Sequence, residues 1–331
     1  MSRTDALEVW LHCDLAPPAR VGTLSLDRGQ VHFAYEPAWL ASAHAFALDP
    51  DLSLDALPFF PRATAENFGI FLDSAPDRWG QTLMKRRELL RAKDEGRAPR
   101  TLSPWDYLIG VQDLTRQGAL RLRPVGEQTF VAAEALAAPP VTSLRELAAV
   151  ALELSAPQDA AADALRRWLA VLVAPGASLG GARPKANFTE QDGSLWIGKF
   201  PARNDERDSG AWEFVAHRLA QAAGIDVAPA KAVRLASEHH TYCVQRFDRA
   251  GGARRFYASA MTLLGRDNSD GASYLDLALL LHTRGDPPRV AADLEQLFRR
   301  VAFNVAVGNR VDDPRNHGFL LGAGGWRPPS T

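Results

Sequence analysis

The spacing of apolar and polar residues changes period several times along the chain, and each change predicts a different element. Short alternating runs open it: ALEVWLHC from Ala6, RVGTLSL from Arg20 and QVHFAYE from Gln30 read as strands, with LDRG turning between the second and third. Helical spacing follows at 78–92 and 103–109, the latter opened by Ser103-Pro104 in the favoured cap and first-turn positions. Residues 117–124 read as another strand, and the alanine- and proline-rich stretch 131–140 as a linker. A helix is expected to begin at Ser143, and an amphipathic one to cover 156–174.

Further on, ANFTEQDGSLWIGKFPA alternates as a hairpin with Asp192-Gly193 at its turn, which places Lys199 on the second strand. AWEFVAHRLAQAAG has helical periodicity and stops at Gly224. Short strands are expected within 224–235 and 240–246. The rest is helical: YASAMTLLG, ASYLDLALLLHTRG and DLEQLFRRVAFNVAVGN. In the last of these, Leu294, Leu297, Phe298, Val301, Ala302 and Val305 recur at three- and four-residue steps, a stripe that reads as core packing.

The candidate chemistry begins at GASLGGARPKA, residues 176–186. Gly176, Gly180 and Gly181 would let backbone N–H groups approach an anion, and Lys185 adds a point charge. The spacing is not that of a Walker A loop, because ARP separates Gly181 from Lys185 and neither Ser nor Thr follows. Alone, such a loop is an ordinary turn. Its context changes the reading, because a strand lysine, Lys199, precedes a helix glutamate, Glu213, and that pairing is what protein kinases use at the α/β phosphates.

Taken in order, SLGGARPKA, IGKFP, WEFVAHRLAQAAGI with DVAPA, VQRFDR and RNHGFL resemble the HipA toxin-kinases over nearly the whole chain. The resemblance implies an α+β fold: a kinase-like two-lobed core with an N-terminal mixed β/α subdomain. VGTLSL and FGIFLDSAPDRWGQTLMKRRE fit that subdomain, over residues 1–125, with a linker at 126–142 and the nucleotide-binding core at 143–331. It implies ATP and Mg2+ as cofactors. Ser178, Gly180, Gly181, Ala182 and Lys185 would meet the phosphates together with Lys199, which Glu213 would hold. Val244, Gln245 and Phe247 would receive adenine, Asp248 would help orient the site, and Asn316 would bind magnesium. Ser178 matches the autophosphorylation site of the family. Phosphorylation there adds up to about two negative charges beside the ATP phosphates and would act as an off switch. The implied partner is a HipB-type helix-turn-helix antitoxin, with DNA reached only indirectly. The implied substrate is a protein such as an aminoacyl-tRNA synthetase.

Two departures from the family pattern bear on catalysis. Relatives read N-x-D-D-H-x-R-N-H-G-F, whereas this chain reads GNRVDDPRNHGFL from Gly308 to Leu320, so the position five before Asn316 is Val311. Asp312 is the expected base, with Asp313 the alternative. Pro314 biases Asp313 away from helical geometry. In addition, the second magnesium aspartate of the family does not follow HGFLLGAGGWR, so the C-terminal helical lobe is expected to be incomplete and phosphoryl transfer weak. An impaired relative that binds nucleotide or antitoxin, and a pure binding module, are the alternatives.

Composition excludes several classes. A chain of 331 residues has room for about two domains. It is 46% hydrophobic and carries 38 basic against 39 acidic residues, so it has no overall basic field for nucleic acid. The basic stretch Arg86 to Arg100 reads either as a solvated helix face or as a contact for antitoxin or DNA. Cys13 and Cys243 have neither disulfide nor zinc spacing and read as reduced thiols. With no run of 18 apolar residues and no export signal, a cytoplasmic, membrane-free protein is expected.

Overall fold

The computed structural model describes residues 5–133, 138–154 and 183–329. It shows an α+β chain. The first sheet has the order β3-β2-β1-β4, all antiparallel, from β1 (Ala6–Leu11), β2 (Ala19–Asp27), β3 (Gln30–Tyr35) and β4 (Leu120–Pro124). The expected turn at LDRG joins β2 to β3, with Arg28 and Gly29 both at positive φ. Single helical turns α1 (Pro37–Leu40) and α2 (Gly69–Leu72) precede α3 (Arg78–Asp94) and α4 (Pro104–Ile109). The cap at Ser103 is a full capping box with Asp106. Helix α5 spans Leu144–Leu154.

The second sheet has the order β5-β6-β8-β7, built from β5 (Lys185–Thr189), β6 (Leu195–Lys199), β7 (Ala230–Arg234) and β8 (His240–Gln245). Between β6 and β7 runs α6 (Ser209–Ala222), which ends as expected before Gly224 at φ +74°. Asp208 caps α6, accepting from Ala211 N–H at 3.0 Å, and also accepts from His240 N–H at 2.9 Å. That bond ties α6 to β8. The helix starts so close to the sheet that a Cβ at Gly210 would lie 2.0 Å from the His240 carbonyl oxygen.

The two-residue strands β9 (Arg249–Ala250) and β10 (Ala253–Arg254) follow, then a three-stranded sheet of β11 (Tyr257–Ser259), β12 (Gly318–Gly322) and β13 (Gly325–Arg327). YASAMTLLG therefore divides into β11 and one turn of helix, α7 (Ala260–Leu263), instead of forming a single helix. Ser259 is the reason. Its hydroxyl caps α7 at Thr262 N–H, while its own N–H and hydroxyl donate to the buried Asp73 at 2.7 Å each. Helices α8 (Tyr274–Arg284) and α9 (Val290–Ala306) complete the chain.

Two hydrophobic clusters hold these elements. One joins the first sheet to β11, α8, α9 and β12, through Leu7, Phe33, Phe71, Phe256, Leu281 and Phe319. The other packs α3 and α5 on β5, β6 and β8, through Leu83, Leu147, Phe188 and Phe200. The stripe on α9 is core only in part. Leu297 is buried and Leu294 and Val301 pack beside it, but Phe298 and Val305 are 71% and 76% exposed. Periodicity detects an apolar face, and which part of it is covered depends on what packs there.

Between β8 and β9 lies a buried ionic knot. Arg246 grips both oxygens of Asp248 at 2.8 and 2.6 Å, and its other amino group donates to the Thr115 carbonyl and to Asn187 Oδ1. Arg249 and the Gly118 N–H also donate to Asp248. Burial alone would raise the Asp248 carboxyl, but the two guanidiniums hold it well below the ordinary carboxylate range. Removing one partner of a buried ion pair leaves an uncompensated charge, so Asp248→Asn is expected to lose about 3–5 kcal/mol in urea unfolding of the full chain. Because the folded pKa is depressed, the contribution is complete above the unfolded value of about 3.9 and fades only as pH falls below it. The gap between wild type and variant should narrow in that acid window.

Candidate nucleotide site

The strand and helix that carry Lys199 and Glu213 bring the two side chains into an ion pair. Lys199 ends β6 opposite Tyr242 of β8, and its ammonium lies 5.4 Å from the centre of that ring. Both charged residues line a cavity of ≈ 150 Å³, together with Ile197, Ala228, Tyr242 and the segment Val244 to Asp248. Gln245 presents its N–H to the Pro229 carbonyl at 2.9 Å, which turns that donor away from the cavity. Asp248 borders the cavity, but the knot already engages both its carboxylate oxygens. These bonds hold the Val244–Asp248 segment in place.

Lys185 departs from expectation. It is buried, its ammonium pairs with Asp77 at the start of α3, and its carbonyl accepts from Trp79 Nε1 at 3.1 Å. The register explains this: Lys185 sits directly opposite Lys199 across the β5–β6 ladder. Like charges in that position repel, and each here meets a carboxylate from a different helix. Lys185 is accordingly absent from the lining of the cavity. Ser178, Gly180, Gly181 and Ala182 lie outside the described residues.

Asp312 and Asn316 gather in a second cavity of ≈ 200 Å³, with Ala220, Ile225, Arg300, Asn304 and His317 among its walls. The two cavities share no lining residue, but α6 borders both, with Glu213 at one and Ala220 at the other. Asp312 Oδ2 accepts from Tyr274 Oη at 2.5 Å and Asn304 Nδ2 at 2.8 Å, and lies 2.9 Å from His317 Nε2. Burial would raise this carboxyl, but the hydrogen bonds from His317 and Tyr274 bring it below the ordinary range. Asp313 instead accepts from Ser269 Oγ and from Arg315 N–H, so it is tied into the neighbouring loop and the turn Pro314–Asn316. Asn316 Nδ2 donates to the Val311 carbonyl, while the Val311 side chain is 79% exposed. Sequence reading did not find Tyr242, Tyr274, Asn304 or Gln117, each of which lines a cavity or grips Asp312. None lies in a recognisable local motif.

The basic stretch at the end of α3 is largely paired: Arg97 with Glu88 and Glu95 at 2.6 Å each, Arg91 with Glu95 at 2.8 Å, and Arg100 with Asp106 at 3.0 Å. Cys13 and Cys243 are both free, and burial pushes the Cys243 thiol up to about 12. Among the described residues no cluster of three or more His, Cys, Asp or Glu side chains forms a metal cage, and no helix is long and apolar enough to cross a membrane.

Comparison with known proteins gives two separate matches along the chain, with residues 99–176 between them. Residues 7–98 match the HipA N-terminal domain and residues 177–330 the HipA-like C-terminal domain. The chain belongs to the HipA family. Its fold is similar to that of a chain in the Shewanella oneidensis MR-1 toxin–antitoxin complex of HipA, HipB and operator DNA. The TM-score is 0.66 at 20% identity, covering 98% of this chain and 75% of that one. A search of curated proteins found no match. The kinase-like core expected from the resemblance agrees with this fold.

Asp208 offers a test of how the fold holds Glu213. Burial would raise its carboxyl, but His240 and the N–H groups of Ala211 and His240 pull it down to about 2. Asp208→Ala is expected to lose about 1–2 kcal/mol at neutral pH in chemical denaturation. That stabilisation is complete above the unfolded pKa of about 3.9 and disappears as pH falls through about 2, so the two curves should converge in acid.

Proposed function

We propose that this chain is a HipA-type serine/threonine kinase that binds ATP with its base against Val244–Phe247 and its phosphates at Lys199. The observation that carries the reading is the Lys199–Glu213 ion pair on the wall of a largely apolar cavity. An adenine edge presents one donor and one acceptor side by side, so it needs a carbonyl and an N–H from the segment beside it. With the Gln245 N–H engaged by Pro229, the carbonyl is assigned to Gln245 and the N–H to Phe247.

In the transfer step a protein hydroxyl oxygen attacks the γ-phosphorus, the bond to the β-phosphate oxygen breaks, and ADP leaves. Asp312 receives the hydroxyl proton. All three of its named contacts fall on Oδ2, which fixes the carboxylate plane and makes Oδ1 the accepting atom. Magnesium suits the oxygen donors of this cavity. Asn316 would hold the ion through its side-chain oxygen, since its amide nitrogen is used on the Val311 carbonyl, and the carboxyl of Asp312 stays ionised nearby. When bound, the ion neutralises phosphate charge. As in the matched complex, the partner is a HipB-type antitoxin, and a cytoplasmic site of action follows from that pairing.

A second reading has its own support. Val311 stands where the family aspartate is expected and its side chain faces solvent, while the lowered basicity of Asp312 weakens it as a proton acceptor. On that reading the chain binds nucleotide with little transfer. Incubating the full chain with γ-labelled ATP and Mg2+ separates the two. Kinase action predicts label at Ser178, a loss of at least about a hundredfold in Lys199→Ala, and a similar loss in Asp312→Asn. Absence of label with an ATP-dependent rise in Tm supports the second reading, and absence of both overturns nucleotide binding altogether.

A further inference from the structure

Asp312 and His317 belong to two cavities at once. Besides the one that holds Asn316, they line a smaller space of ≈ 100 Å³, whose other walls are Ala272, Ser273, Tyr274, Leu277 and Pro314. No further residue is common to the two. The smaller cavity draws its walls from the start of α8, whereas α6 and α9 wall the larger one. Those walls are set in advance. Ser273 and Asp276 close a capping box at the start of α8, each backbone N–H donating to the other's side chain, at 2.8 and 3.3 Å. Leu277 and Pro314 are buried, and Pro314 opens the short turn that Asp313 caps through the Arg315 N–H. Ser273 is exposed, which leaves the mouth open to a polypeptide.

The polar groups of this space are already answered. The Ser273 hydroxyl is engaged with Asp276, and Tyr274 and His317 both meet Asp312 Oδ2. What remains is an apolar lining of Ala272, Leu277 and Pro314 beside a carboxylate whose Oδ1 has no bond among the described residues. Such a space suits a short side chain with one hydroxyl to donate and little else to solvate, whereas a phenol ring would force the walls apart. Phosphoryl transfer makes the same demand. Its attacking and leaving oxygens lie roughly in line, so the acceptor must come to Asp312 by a way that the nucleotide does not fill. We propose that this smaller cavity is the acceptor subsite, which takes the serine or threonine side chain of the protein substrate between Ala272, Leu277 and Pro314. The inference rests on the kinase reading above and adds to it where the second substrate sits and which residues select it.

The test is calorimetric titration of the full chain with Mg-ATP and with two conjugates, in which the γ-phosphate of ATP is joined to the hydroxyl of N-acetylserinamide or of N-acetyltyrosinamide. The serine conjugate should bind about tenfold tighter than ATP, because the linked acceptor adds its contacts without a second loss of freedom, and the tyrosine conjugate should gain nothing. Ala272→Phe, which fills the cavity, should erase the serine gain and leave ATP within about twofold. Leu275→Phe, at a position on the same helix that is 80% exposed and outside the cavity, should keep the gain. If wild type binds ATP but the serine conjugate no more tightly, or if both conjugates gain alike, the acceptor subsite is overturned and nucleotide binding stands. That comparison needs no variant, so a misfolded one cannot decide it. Retention of the gain in a folded Ala272→Phe overturns the subsite equally. If wild type binds none of the three, the nucleotide reading fails and this inference fails with it.

Discussion

A carboxylate cannot be buried without partners, and Asp248 has arranged a large part of this molecule around that requirement. Moving such a group out of water costs several kcal/mol unless charge and hydrogen bonds replace the solvent. Arg246 and Arg249 supply the charge, and Gly118 supplies a backbone donor. The arginines in turn need acceptors, which they find at the carbonyls of Leu114, Thr115, Arg116 and Gly118. A loop that precedes β4 is thereby locked to the segment that follows β8. These bonds act beside the apolar packing of the same loop, in which Val111 and Ala119 are buried.

The second sheet repeats the principle on a smaller scale. Lys185 and Lys199 face each other across one ladder, an arrangement that is tolerable only if both are neutralised. Asp77 answers one from α3 and Glu213 answers the other from α6. The pairing divides two lysines of similar appearance into different roles: one fastens the N-terminal helix to the sheet edge, and the other remains at the cavity. The cap at Asp208 and the close approach of Gly210 to β8 then fix where along α6 the carboxylate of Glu213 falls.

Helix α6 also connects the two cavities. It carries Glu213 at the first and Ala220 at the second, about two turns apart by helical rise. A shift of α6 along its axis would therefore be felt at both Lys199 and the loop of Asp312 and Asn316. Asp312 is braced from three directions by Tyr274, Asn304 and His317. Such bracing favours one orientation of the carboxylate at the expense of its basicity, a tension that bears on any proton transfer there.

Much of the secondary structure was legible in the residue pattern. Capping at Ser103, the Asp192-Gly193 turn with Gly193 at φ +82°, and the stop at Gly224 are local effects, and local chemistry suffices to read them. The Lys199–Glu213 pairing was also legible, because a strand lysine followed by a helix glutamate is a spacing with a known use. The break at Ser259 was not, because Asp73 lies far away in sequence. Nor was the fate of Lys185, whose charge was visible but whose counter-ion was not. The exposed half of the α9 stripe shows the same limit, since an apolar face says nothing about what covers it. By itself the chain determined its elements and the residue types available for chemistry, because propensity, capping and periodicity act within a few residues. Only the tertiary structure decided which charges neutralise one another, and so which were left to face a cavity, because desolvation and ion pairing depend on distances that sequence separation does not encode.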